Sequence, residues 1–192
     1  QDGSNQVGQT EQKEYVYVPE YLELDDNTNS SYSNMTVQGD KLYYTNYQWD
    51  EASGESKVVL GAYSLTDGSR EDLPITINAD GGGIYSMQAD AEGNIYTAEF
   101  EWNATEGDDA YTQQTTVLHK YDASGTELVT QDITDIMQQD ENNSYVGSMC
   151  LDDQGRFYIS SDSLIRLFGS DGQFQGAVQT DSRLKFFDKE NK

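Results

Sequence analysis

The sequence predicts an all-β chain in which one four-stranded antiparallel unit is used three times. Three observations carry this. A hairpin with an Asp- and Gly-rich turn recurs along the chain, at 33–43, 86–96 and 148–158. Each copy is followed by a second motif of strand, aromatic residue and Asp/Gly turn, at 58–68, 117–125 and 164–172. Almost nothing between them has helical periodicity.

Taken in order, the first hairpin ends on Leu42-Tyr43, the second on Ile95-Tyr96 and the third on Phe157-Tyr158. In the last two, Asp-x-x-Gly supplies the turn: the Asp side chain caps its own backbone and the glycine takes the positive-φ position. Met35, Met87 and Met149 stand 8, 9 and 9 residues before those tyrosines. After each second motif comes a further β-prone stretch, at 71–75, 127–133 and 174–178, which completes four strands per unit. Residues 133–139 leave room for one helical turn. The tyrosines lie 53 and 62 residues apart, close to the roughly 40–50 residues of a β-propeller blade once loops are counted. Residues 14–24 could add an outer strand to a terminal blade, and 183–187 could open a fourth. The expected core includes Leu42, Ile95, Phe157, Met35, Met87, Met149, Cys150, Leu60, Leu118 and Ile165.

Composition narrows the function. Asp and Glu number 35 against 11 Lys and Arg, a net charge of −24. That excludes a sequence-independent grip on nucleic acid and argues against an anionic membrane surface. No stretch approaches the roughly 20 apolar residues of a membrane span, so membrane insertion is not expected. Yet 14 Tyr, 6 Phe and 2 Trp are too many aromatics for a disordered acidic tail. The lone Cys150 permits no intramolecular disulfide and no thiolate cluster. The one histidine, His119, aligns with Gly61 and Arg166 in the other units, which makes its place an ordinary strand position. The triplet 81–83 is glycine but precedes a strand rather than a helix, so it reads as a connection between units and not a phosphate loop.

The recurring Asp-x-x-Gly-x-apolar-Tyr, with Tyr-Asp-x-x-Gly at 121–125, resembles β-propeller blades of the NHL, YVTN and quinoprotein-like kind over about 32–180. The resemblance implies architecture and is silent on activity, since such blades serve enzymes, sensors and scaffolds alike. The start of the chain, Glu14-Tyr15-Val16-Tyr17-Val18-Pro19-Glu20-Tyr21-Leu22 after a polar stretch, resembles the mature start of surface lipoproteins from gut Firmicutes. In some of those a propeller-like region accompanies the extracellular solute-binding domain of an ABC importer. The organisation expected is a flexible tether at 1–12 and one propeller-like domain at 13–192, with repeats at about 32–78, 84–133 and 145–180. Three blades do not close, because propellers use about four to eight. The expectation is therefore an open propeller or a piece of a larger one, its edges met by further blades or by a second copy of the chain.

Candidate binding residues follow from alternation along the second strand of each unit. Tyr43, Thr45, Tyr47 and Trp49 share one face, as do Tyr96, Ala98, Phe100 and Trp102. Both tryptophans fall six residues after the repeat tyrosine, at the longest loops, 50–55 and 103–111. Tyr47, Trp49, Phe100 and Trp102, with the carboxylates Asp50 and Glu101 beside them, would suit a glycan or a cationic small molecule. The same aromatics on successive sheets would also serve to pack blades. The acidic pairs at 25–26, 108–109, 140–141 and 152–153 could attract Ca²⁺, but no segment has the spacing of a calcium loop, and solvated turns explain them. No pair among 35 carboxylates is singled out for glycosidase chemistry. The function expected is a non-catalytic, extracellular binding or scaffold region of a bacterial surface lipoprotein, without cofactor. Part of a propeller enzyme acting on glycans, or a self-assembling interaction module, are the alternatives.

Overall fold

A computed structural model describes residues 21–22, 30–79, 81–103 and 113–180. The expected tether, most of the 14–24 strand, the acidic pairs at 25–26 and 108–109, most of the 103–111 loop and the 183–187 strand lie outside those residues. The described residues form three four-stranded antiparallel sheets, each ordered as in sequence. The first holds β1 (Ser30–Gln38), β2 (Lys41–Asp50), β3 (Glu55–Ser64) and β4 (Arg70–Asn78). The second holds β5 (Gly82–Ala89), β6 (Ile95–Asn103), β7 (Gln113–Tyr121) and β8 (Glu127–Asp132). A short helix, α1 (Thr134–Gln138), fills the expected helical turn and leads to the third sheet. That sheet holds β9 (Ser148–Leu151), β10 (Phe157–Ser160), β11 (Leu164–Phe168) and β12 (Phe174–Gln179). The first strands β1, β5 and β9 lie side by side, so the sheets succeed one another face to face in an open propeller arrangement.

The local chemistry of the turns is as the sequence implies. Asp90 Oδ1 accepts from the backbone N–H of Glu92 and Asn94, and Gly93 sits at φ +82. Asp122 and Asp152 repeat the arrangement in their own turns. Asp140 likewise caps the short 3₁₀ turn at Glu141–Asn143. Burial disfavours ionisation of Asp90 and Asp152, but the donors around them win and hold both carboxyls below the ordinary range.

Two apolar layers hold the sheets together. Between the first and second lie Tyr43, Leu60, Ala62 and Ile75 against Met87, Ala89 and Ile95. Between the second and third lie Tyr96, Ala98 and Leu118 against Met149, Phe157, Ile159 and Phe168, with Ile133 and Met137 of the α1 connection closing the layer. The repeat tyrosines reach forward into the next sheet. The Tyr96 hydroxyl stands 3.0 Å from where a Cβ on Gly155 would be, and that of Tyr43 stands 3.9 Å from the same point on Gly93. Larger side chains at those turns would push the sheets apart.

Four expected core residues are not buried. Met35 is 54% exposed, and Leu42, Cys150 and Ile165 are only partly covered. Met35 fails because the first hairpin closes through Gly39-Asp40 alone, and a bulge between Ser33 and Thr36, with Asn34 at φ +47, absorbs the changed length. Leu42 occupies the position of Ile95 and Phe157, which face a preceding sheet; among the described residues the first sheet has none. Cys150 and Ile165 face forward from the third sheet, where no described sheet follows. The remaining six expected residues are buried. The expected loop at 50–55 is also shorter, since strand pairing persists to Asp50 opposite Glu55.

Candidate ligand cleft between the first two sheets

At the far end of β2, a cleft of about 220 Å³ opens between the first sheet and the start of β5. Tyr47 and Val58 line it from the first sheet, and Gly82, Gly83, Ile84 and Phe100 from the second. The bulge in β1 contributes Ser33 and Asn34. Their polar groups form a chain: Thr45 Oγ1 donates to the Ser33 carbonyl at 2.9 Å, and Asn34 Nδ2 crosses the seam to the Ile84 carbonyl at 3.4 Å. The Tyr47 hydroxyl donates to Ser56 Oγ at 2.6 Å, which fixes the ring at the cleft wall. Among the described residues no carboxylate, ammonium or guanidinium lines this cleft.

The glycines of the connection make the second wall. A Cβ on Gly83 would stand 2.9 Å from Phe100 Cζ, and one on Gly82 would meet the Phe100 carbonyl oxygen. Without those atoms the Phe100 ring lies across the strand, 4.7 Å from the Tyr85 ring and 6.4 Å from the Trp102 ring. Tyr85 in turn accepts from Gln114.

The structure thus brings Tyr47 and Phe100 into one cleft and sets Trp102 edge-on against Phe100. Trp49 and Trp102 are each just under half exposed. Asp50 turns to its own hairpin: its carboxylate accepts from the N–H of Ala52 at 2.8 Å and of Ser53 at 3.3 Å, which holds it below the usual range. Glu101 is exposed, on the opposite side of β6 from Phe100 and Trp102.

A second polar group was hidden from sequence reading. On the face of the second sheet that looks to the first, Glu99 is buried and accepts from Thr97 Oγ1 and from the Tyr121 hydroxyl. His119 stacks on Tyr121, with Nδ1 2.7 Å from Glu127 and Nε2 3.7 Å from Glu99. Neither the cleft nor the cavity at the other end of this seam is lined by these residues. Burial pushes the Glu99 carboxyl up from its ordinary 4.5, with His119 and the hydroxyl donors opposing. A raised carboxyl binds its proton more tightly in the folded chain, so its contribution to stability is complete below pH 4.5 and is lost as pH rises through the elevated value. Glu99→Gln is expected to flatten this loss in a melting series from about pH 4 to pH 8; parallel curves for the two proteins would refute it.

Among the described residues no group of three or more His, Cys, Asp or Glu is placed to hold a metal ion. No protein-family model matches the chain, and no curated protein does. Solved structures do resemble it. The β-propeller domain of the Trilobed protease from Pyrococcus furiosus, described as having an open velcro topology, aligns with a TM-score of 0.47 and 9% identity over 80% of this chain and 44% of that one. A protein of unknown function from Bacteroides caccae gives 0.40 and 14%, over 76% and 56%. The Pyrococcus horikoshii acylaminoacyl peptidase gives 0.42 and 11%, over 76% and 32%. The chain therefore spans less than two thirds of the length of each of these proteins.

Proposed function

We propose that the chain is a non-catalytic binding region of a propeller-type bacterial surface protein, and that the cleft between its first two sheets takes a neutral, sugar-like ligand. The observation that carries this is that Tyr47, Val58, Ile84 and Phe100 meet in one cleft whose described lining bears no ionised side chain, in a chain of charge −24. Aromatic and apolar side chains beside a few fixed hydroxyl, amide and backbone groups suit the alternating apolar faces and hydroxyl edges of a saccharide. A cationic ligand would find no carboxylate among the described lining residues. The placement at a bacterial surface, tethered as a lipoprotein and serving solute capture, rests on the likeness of residues 14–22 to such proteins.

The test is a titration of tryptophan fluorescence with neutral oligosaccharides, polyamines and peptides. Trp102 reports because it touches the Phe100 ring. A saturable shift with a neutral sugar is expected, weakened about tenfold or more in Tyr47→Ala, as removal of an aromatic anchor generally does. A shift with polyamines alone, or one that Tyr47→Ala leaves intact, would remove this reading.

A further inference from the structure

The other end of the same seam holds a larger cavity, about 310 Å³, where β2 begins and the β5–β6 turn ends. Its floor is apolar, formed by Leu73, Ile75 and Ile95, and its rim carries Glu71, Asp72, Glu92 and Asp122. Among the described residues one cation, Lys41, lines it too, already paired with Glu71 at 2.7 Å. Four carboxylates against one engaged ammonium leave the rim negative.

The telling group is Tyr43. In the second and third sheets the repeat tyrosine donates to the turn aspartate six residues before it: Tyr96 to Asp90 at 3.0 Å, Tyr158 to Asp152 at 3.3 Å. The residue six before Tyr43 is Val37, because the first hairpin uses the shorter Gly39-Asp40 turn. Tyr43 is only 6% exposed, lines the cavity, and its hydroxyl meets no hydrogen-bond partner among the described residues. The ring is buried while the hydroxyl, unlike those of Tyr96 and Tyr158, keeps its hydrogen-bonding capacity free for whatever enters the cavity.

We propose that this cavity binds a small organic cation, a primary ammonium on a short alkyl stem. The stem lies on the apolar floor, the ammonium donates to the Tyr43 oxygen, and the rim carboxylates supply the field that draws it in. A bare metal ion does not fit, because no three of these acids converge to hold one. The Asp122 carboxylate is already turned to the Ser124 and Thr126 N–H groups of its own turn. The site is independent of the sugar-like cleft: it shares no lining residue with it.

The experiment is a calorimetric titration of the full chain with n-pentylamine and with 1-pentanol, which has the same stem and no charge, at low and at moderate salt. Saturable binding of the amine, absent for the alcohol and several-fold weaker at the higher salt, is expected as the Debye length shortens. Tyr43→Phe keeps the ring and should weaken the amine about tenfold by removing one charge-assisted hydrogen bond. Glu92→Gln, at an exposed rim position that bears no packing, should weaken it by a smaller factor, whereas Tyr47→Ala in the other cleft should leave it unchanged. Equal binding of amine and alcohol, no binding at low salt, or full affinity in both Tyr43→Phe and Glu92→Gln would overturn the proposal.

Discussion

Replacing Arg166 by alanine is expected to destabilise the chain by about 3–5 kcal/mol, the cost of emptying a buried, hydrogen-bonded charged site. Arg166 lies in β11 and is only 2% exposed. Its Nη1 donates to Ser161 Oγ and its Nη2 to the Met137 carbonyl, both at 3.1 Å. Met137 belongs to the last turn of α1, whose carbonyls have no partner inside so short a helix. The guanidinium thus fastens the connection between the second and third sheets to the third sheet itself. Burial lowers its pKa from the usual value, and Asp140 opposes that shift; a guanidinium stays charged regardless. Arg166→Met keeps much of the volume and gives up only the donors, so it should cost less, about 1–3 kcal/mol for the orphaned acceptors. Urea unfolding of the three proteins, with slopes compared, separates the cases. If alanine and methionine cost the same, the hydrogen bonds are not what holds the connection.

The repeat could be read from sequence because its information is local. An Asp that caps its own turn and a glycine three residues on need no neighbour to declare themselves, so Asp90, Asp122 and Asp152 marked hairpins that the structure contains. Which face of a strand is buried is a different matter, since it depends on whether another sheet stands against it. Leu42 and Ile95 occupy the same place in their units, yet only Ile95 has a described sheet in front of it. The polar layer was illegible for a related reason. Asn46, Glu99 and Ser161 are equivalent, as are Gly61, His119 and Arg166, and in the second and third sheets these positions lie where the sheet meets the one before it. Sequence shows such residues as ordinary members of a strand; only stacking turns them into buried partners. Of the cleft, period-two alternation found Tyr47 and Phe100. Asn34 was missed because nothing in the sequence announces the bulge, and the glycines at 82 and 83 were seen as a connection without the ring they make room for.

Gly125→Ala is the second large effect, expected to cost about 3 kcal/mol or more, above the usual range for a surface turn. Two contributions add. Gly125 sits at φ +82, where an L-residue loses roughly 1 kcal/mol relative to glycine. The new Cβ would also stand on the Pro74 carbonyl oxygen and 2.9 Å from Pro74 Cγ, both belonging to β4 of the first sheet. A carbonyl in a neighbouring sheet cannot rotate aside as a side chain can, so relief requires the sheets to separate. Gly39→Ala is the control: φ is +62 and a Cβ there meets nothing within 4 Å, so only the backbone contribution, about 1 kcal/mol, is expected. The same contact recurs one sheet on. A Cβ on Gly172 would stand 2.7 Å from Gln131 Cβ of β8, so in both seams the third turn of a sheet abuts the outer strand of the sheet before it. The seam closed by Gly125 also bounds the amine cavity through Pro74 and Ala123. Gly125→Ala should accordingly loosen amine binding as well as stability, while Gly39→Ala changes neither beyond its backbone cost. Equal unfolding midpoints for the two alanine variants would mean that the sheets do not approach this closely, and that the spacing between blades is set elsewhere.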